Sequence, residues 1–144
     1  MKVSTRGRYG LRAMSEMALG IEDSPLSLKT IAQSQGIPEQ YLEQIMITLR
    51  KAGLVVGIRG PLGGYSLAKP PEDIFVGDIL RALEGSIGFV GCAMDGEKDP
   101  CDRAEICITR PLWEKLTISI IKIVDSMSLS ELCQQKPLNG SDIN

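Results

Sequence analysis

Helix-period stripes come first along the chain, and then the period changes. Ser4 and Thr5 are able to cap a helix in which Leu11, Met14, Ala18 and Ile21 recur at helical spacing. Glu22-Asp23-Ser24-Pro25 reads as the turn that ends it. Ser27 is placed to cap a short second helix with Leu28, Ile31 and Ala32 facing inward, and Gly36 breaks that helix. Leu42, Ile45, Met46 and Leu49 give a third helix one buried stripe, with Pro38 in its first turn and Gly53 just past its end. Leu54-Val55-Val56-Gly57-Ile58 and Tyr65-Ser66-Leu67-Ala68 then read as two strands joined by the turn chemistry of Gly60-Pro61-Leu62-Gly63-Gly64.

Beyond the stiff segment Lys69-Pro70-Pro71-Glu72-Asp73, Val76, Ile79, Leu80 and Leu83 mark a short helix closed by Gly85. Thr109 and Pro111 open a long helix whose Leu112, Trp113, Leu116, Ile118, Ile120, Ile121, Ile123, Val124 and Met127 make more than one face apolar. Too little chain follows to cover both faces, which points to dimerisation of this helix on its twin. Ser128-x-x-Glu131 is a capping-box pattern for one more short helix, and the tail PLNGSDIN reads as frayed. The expected fold is mainly α with a small β-hairpin wing. Residues 1–69 form a winged helix-turn-helix, 70–108 a connecting helix and cysteine loop, and 109–144 a dimerisation helix with a C-terminal segment.

The apolar content of 43% suffices for a core, built with few aromatics. No apolar run is long enough to span a bilayer, and MKVSTRGRYG lacks the apolar stretch of a signal peptide, so the expected location is the cytoplasm, with no membrane partner. The net charge of −2 argues weakly against a nucleic-acid partner until the chain is divided. Residues 1–69 carry nine Lys/Arg against five Asp/Glu, whereas residues 70–144 carry seven against thirteen. A basic half beside an acidic half suits a DNA-binding protein with a second, non-DNA part. The outer face of the third helix presents Gln40, Tyr41, Glu43, Gln44 and Thr48. Such a face either is simply solvated or reads base edges, and the wing behind it favours the second. Arg59, among the glycines of the hairpin tip, suits the electronegative minor groove.

CAMDGEKDPCDRAEIC, from Cys92 to Cys107, holds three of the four cysteines in a chain without histidine. In a reducing compartment such clustering points to a metal or a redox switch. Structural zinc prefers close pairs, and the spacing here is C-x8-C-x5-C. Asp95-x-Glu97-x-Asp99 fails as a calcium loop because Pro100 stands where glycine is required. A catalytic cysteine has no histidine to serve as its base, so an enzyme is not expected.

STRGRYGLRAM, YLEQIMITLRKAGLV, IRGPLGGYSL, VGDILRALEG and the three-cysteine loop resemble the iron–sulfur-cluster-regulator superfamily of bacterial winged helix-turn-helix transcription regulators, across roughly residues 1–132. The resemblance implies a homodimeric regulator, most simply a repressor, on double-stranded promoter DNA. Tyr41, Glu43 and Gln44 would enter the major groove, and Arg59, Gly60, Gly63 and Gly64 would form the wing at the minor groove. Ser4, Arg6, Ser27, Lys29 and Arg50 are assigned to phosphates from charge and position. The resemblance further implies that Cys92, Cys101 and Cys107 hold an iron–sulfur cluster, 2Fe–2S or 4Fe–4S, whose loss alters DNA affinity.

The fourth ligand departs from the family's patterns. One branch uses a histidine three residues after the last cysteine, where this chain has Arg110; another borrows an aspartate from the partner's first helix, where it has Arg8. The remaining options are an acidic loop residue (Asp95, Glu97, Asp99, Asp102 or Glu105), Cys133, a water or small thiol on an open iron, or no cluster. The long helix should carry Cys133 roughly 20–25 Å away within one chain. Two alternatives keep the DNA binding: a cluster-free thiol–disulfide switch, and control by a docked partner protein.

Overall fold

Ser4 caps the first helix, accepting the Gly7 amide at 3.1 Å on its hydroxyl, and helix α1 runs over Thr5–Leu19. The computed structural model describes residues 2–20, 25–96 and 98–135. Ile21, the expected turn at residues 22–24, Glu97 and the tail PLNGSDIN lie outside the described residues, as does Met1. The buried face of α1 is Gly7, Gly10, Ala13, Met14 and Met17, with Leu11 and Ala18 only half-buried. The expected stripe was centred too far toward the large aliphatic residues. A Cβ at Gly10 would run into Leu83, so the small residues exist to admit a neighbouring helix at close range.

Helix α2 (Leu28–Gln35) starts at Ser27, whose hydroxyl accepts the Thr30 amide at 3.0 Å. It ends at Gly36 in the left-handed conformation, φ 62°, which makes the tight turn into α3 (Glu39–Lys51). Pro38 occupies the N-cap of α3, one place ahead of the first turn. Leu42, Ile45, Met46 and Leu49 are all fully buried, as the periodicity expects. Strands β1 (Val55–Ile58) and β2 (Gly64–Leu67) pair antiparallel in the register Val55↔Leu67 to Ile58↔Gly64. Leu26 adds a backbone bridge to Tyr65, so the wing is stitched to the entry of α2.

Pro71–Asp73 forms one 3-10 turn, and α4 (Val76–Glu84) follows with the expected bounds. A second 3-10 turn at Gly91–Ala93 contains Cys92. Helix α5 spans Arg110–Ser126 and α6 spans Leu129–Gln134. The capping box at Ser128 and Glu131 is formed in both directions. Phe75 bridges to Ser128, and Leu129 is fully buried in the same core as Met14, Ile31, Leu42 and Ile74. The segment after α5 thus folds back onto the helix-turn-helix body. No helix among the described residues is long and apolar enough to cross a membrane.

One helix stands apart from this core. Of the residues in α5 only Thr117 is buried. Ile118 and Ile123 are 65% and 59% exposed, and Ile108 just ahead of the helix is 94% exposed.

Candidate nucleic-acid interface and cysteine loop

Helix α3 turns Gln40, Tyr41, Glu43 and Gln44 outward, around a shallow hollow that begins at Pro38. Tyr41 is braced edge-on by Tyr9 of α1, with ring centroids 5.8 Å apart, and the Arg12 guanidinium lies 5.5 Å from the Tyr9 ring centre. The half-buried Arg6 donates to the hydroxyl of Thr48. Arg6 and Tyr9 are therefore placed to fix the pitch of α3 against α1. Sequence reading assigned Arg6 to a phosphate and passed over Tyr9 and Arg12; an aromatic flanked by basic residues in the first helix is the signal for them.

A groove of about 320 Å³ is lined by Ser27, Leu28, Arg50, Gly57, Ile58, Arg59, Gly63, Gly64 and Tyr65. It gathers the start of α2, the end of α3 and the root of the wing. Ser27, Arg50, Arg59, Gly63 and Gly64 were singled out separately in the sequence, and here they meet. The groove thus holds two guanidinium-bearing residues, Arg50 and Arg59. Lys29 is exposed on the first turn of α2. Ser4 is already engaged: its amide and its hydroxyl both bond Glu84 Oε1, the amide at 3.1 Å. A phosphate at Ser4 would have to approach that carboxylate.

The wing glycines do more than thin the backbone. Gly60 has φ 110° with open space around it. Gly64 has φ 155°, and a Cβ there would run into the Leu26 carbonyl, which accepts the Tyr65 amide at 2.8 Å. Gly64→Ala is expected to break the bridge to Leu26 and to lower stability by about 1–3 kcal/mol, measured by urea unfolding. Gly60→Ala, free of the collision, should cost less.

The cysteine loop joins α4 to α5. Cys92 is half-buried in its 3-10 turn, Cys101 is exposed, and Cys107 stands just before α5. Thr109, expected to cap α5, instead places its hydroxyl 3.2 Å from Cys107 Sγ. The hydrogen bond from Thr109 holds the Cys107 thiol below its ordinary pKa, helped by the backbone amides of Thr109 and Arg110 and the charge of Arg103. The thiolate therefore persists to lower pH. Alkylation of Cys107 should fall off only below the midpoint of a free thiol, about pH 8.5, and Thr109→Val should move that midpoint upward. Pseudo-first-order labelling rates against pH check this.

The possible fourth ligands are unequal. Asp95 is committed to Arg81, 2.6 Å from its Nε. The Asp99 carboxylate lies over Gly91, beside the Cys92 turn, while Asp102 and Glu105 are exposed. Arg110 pairs with Glu114 at 3.0 Å, and Arg8 donates to Thr5 at 3.1 Å. Cys133 packs against α1, its Sγ 3.8 Å from the Ser15 carbonyl, and burial raises its pKa. Among the described residues no three Cys, Asp or Glu side chains converge closely enough to hold one ion. The donor chemistry suits iron and sulfide, but gathering the thiols requires the loop to close.

The matching family model covers residues 3–135 and is described as Rrf2, iron-dependent transcriptional regulator. The chain is 43% identical to the regulator CymR of Bacillus subtilis over 132 residues, 92% of this chain and 89% of that protein. The solved structure of that CymR, described as the global cysteine regulator, covers 95% of this chain and all but 1% of its own, with a TM-score of 0.77. Identity to the regulator IscR of Aliivibrio salmonicida is 40% over 132 residues, 92% of this chain and 77% of that protein. A structure of T. potens IscR matches 100% of this chain and 97% of its own at 40% identity and a TM-score of 0.77. These relatives are transcription regulators, not enzymes, and at this level of similarity the chain belongs to the Rrf2 family of DNA-binding, winged-helix transcription regulators.

Proposed function

We propose that the chain acts in the cytoplasm as a homodimeric repressor at promoter DNA, and that Cys92, Cys101 and Cys107 set its DNA affinity by holding an iron–sulfur cluster. Residues 1–69 carry the DNA contacts, 70–108 a connecting helix and the sensing loop, and 109–144 the dimerisation helix and C-terminal segment. The single observation behind this reading is the position of the three thiols. They occupy the one loop between α4, which packs on α1 and α3, and α5, the helix with unburied apolar faces. Two α5 helices covering each other would set two α3 helices and two wings on one two-fold axis, the arrangement a pseudo-palindromic site demands.

Soft thiolates favour iron–sulfur chemistry, and such a cluster supplies a group that can be assembled, oxidised or lost. The chain's own part is to present the thiols and to move with them. Among the described acidic residues of the loop, Asp99 is the one whose carboxylate lies over Gly91, beside the Cys92 turn. A second reading, a thiol–disulfide switch without a cluster, is supported by the lowered pKa of Cys107, which favours its reactive thiolate.

The test is the visible absorption of protein purified without oxygen, with iron and acid-labile sulfide assayed on the same sample. Coloured protein that loses both on replacing any one of the three cysteines by serine supports the cluster. Protein that stays colourless after incubation with iron and sulfide overturns it and leaves the thiol switch.

A further inference from the structure

The two halves of the cysteine loop are attached differently. Around Cys92 the backbone is tied off. The Asp95 amide donates to the Ile87 carbonyl at 2.8 Å, and Asp95 Oδ1 accepts the Ile87 amide in return. Thr117 of α5 donates to the Ala93 carbonyl at 2.7 Å, in a buried setting. The outer half, residues 100–109, carries short turns, Ala104 to Cys101 at 3.1 Å and Ile106 to Arg103 at 3.0 Å, and joins α5 through the Thr109 carbonyl, which accepts the Leu112 amide at 3.1 Å.

Arg81 of α4 closes the inner half. Its Nε donates to Asp95 Oδ2 at 2.6 Å, while Nη1 and Nη2 grip Asp125, in the last turn of α5, at 2.6 and 3.0 Å. Gly77, one turn earlier on α4, has no side chain in the way; a Cβ there would strike the Asp125 carboxylate. One guanidinium thus joins α4, the loop and α5. From α4 the packing continues through Leu83 to Gly10 and Ile45, the latter in the core of α3. The hydrogen bonds from Arg81 hold Asp125 below its ordinary pKa, so the pair stays ionised at neutral pH. The side chains of Arg81 and Asp125 are 33% and 42% exposed. A pair so open to water adds little stability, so its value lies in geometry.

We propose that Arg81 is the positioning residue of the sensing loop: it holds the Cys92 turn fixed on α4 and α5, so that Cys101 and Cys107 move toward a stationary Cys92. The movement of Cys101 and Cys107 and its transmission through α4 to α3 rest on the proposed control of DNA affinity by the loop; the anchoring of the Cys92 turn by Arg81 does not.

The test uses the full-length, reduced, metal-free protein and N-ethylmaleimide, with each thiol's labelling rate read by mass spectrometry. In Arg81→Gln the Cys92 rate should rise about fivefold, while Cys101 and Cys107 change by less than about twofold. Asp95→Asn should give the same selective rise, and the double variant should add little to Arg81→Gln, because both changes open the Arg81–Asp95 contact. Arg81→Lys, which can meet one carboxylate but not clamp two, should fall between. Unchanged Cys92 labelling in Arg81→Gln and Asp95→Asn overturns the proposal, and so does an equal rise at all four thiols, which marks general loosening. Wild-type DNA affinity indifferent to both chelator and oxidant would instead sink the proposed function, while the labelling pattern would still decide the role of Arg81.

Discussion

Ile118→Glu together with Ile123→Glu is expected to convert the protein to monomers and to weaken its DNA binding by about a hundredfold or more. The two side chains lie about 140° apart around α5 at 3.6 residues per turn, so the pair covers both exposed faces. Each is more than half exposed in the single chain, and neither belongs to the core built around Leu42, Met46 and Ile79. Charging them should therefore leave the monomer folded. Buried in a dimer, each carboxylate would lose water without gaining a partner. The DNA effect follows from geometry: two α3 helices on one rigid dimer bind as a linked pair, and separated chains must bind half-sites one at a time. Sedimentation velocity reads the first expectation, and fluorescence anisotropy with a DNA fragment selected from a random pool reads the second. Retained dimers with unaltered DNA affinity would remove α5 from the account.

Arg50→Ala with Arg59→Ala should weaken DNA binding by about a hundredfold and flatten its salt dependence. Both residues line the groove between the start of α2 and the wing, and a dimer presents that groove twice. Each lost phosphate contact lowers the slope of log affinity against log salt by about 0.9, so four arginines removed per dimer should lower it by about 3 to 4. A weakened affinity with an unchanged slope would mean that the arginines shape the wing without touching phosphate. Glu43 acts differently. A carboxylate facing base edges would repel the backbone and reward a cytosine amine, so on the proposed reading Glu43→Ala should relax the choice of sequence while changing the salt slope little.

Much of this arrangement could be read from residue order alone. The α3 stripe, the bounds of α4, the capping box of α6 and the wing were legible because each depends on neighbours within a few positions. The packing face of α1 was not. Its identity depends on α4 lying close enough to require Gly7 and Gly10, and a glycine carries no hydrophobic signal of its own. Thr109 stands at the N-cap of α5 as its chemistry suggests, but its hydroxyl is taken by a thiol two residues earlier rather than by an α5 amide. The gathering of Arg50, Arg59 and Ser27 into one groove, and of Arg81 with Asp95 and Asp125, joins residues distant in sequence, which no local period encodes. The three cysteines were conspicuous from the start. Their separation in the folded chain was not, because spacing along a loop says little about distance across it.

The central claim is that the state of the cysteine loop sets the affinity of the folded dimer for DNA. The most direct measurement is a single anisotropy titration, on DNA selected from a random pool, repeated with protein prepared without oxygen, after treatment with an iron chelator, and with Cys92, Cys101 and Cys107 replaced by serine. The account predicts that chelation changes the affinity by about tenfold or more, as a coupling of about 1–3 kcal/mol would give, and that the serine variant matches the chelated protein and no longer responds to chelator. Identical binding curves for all three preparations, with the dimer intact, would contradict it.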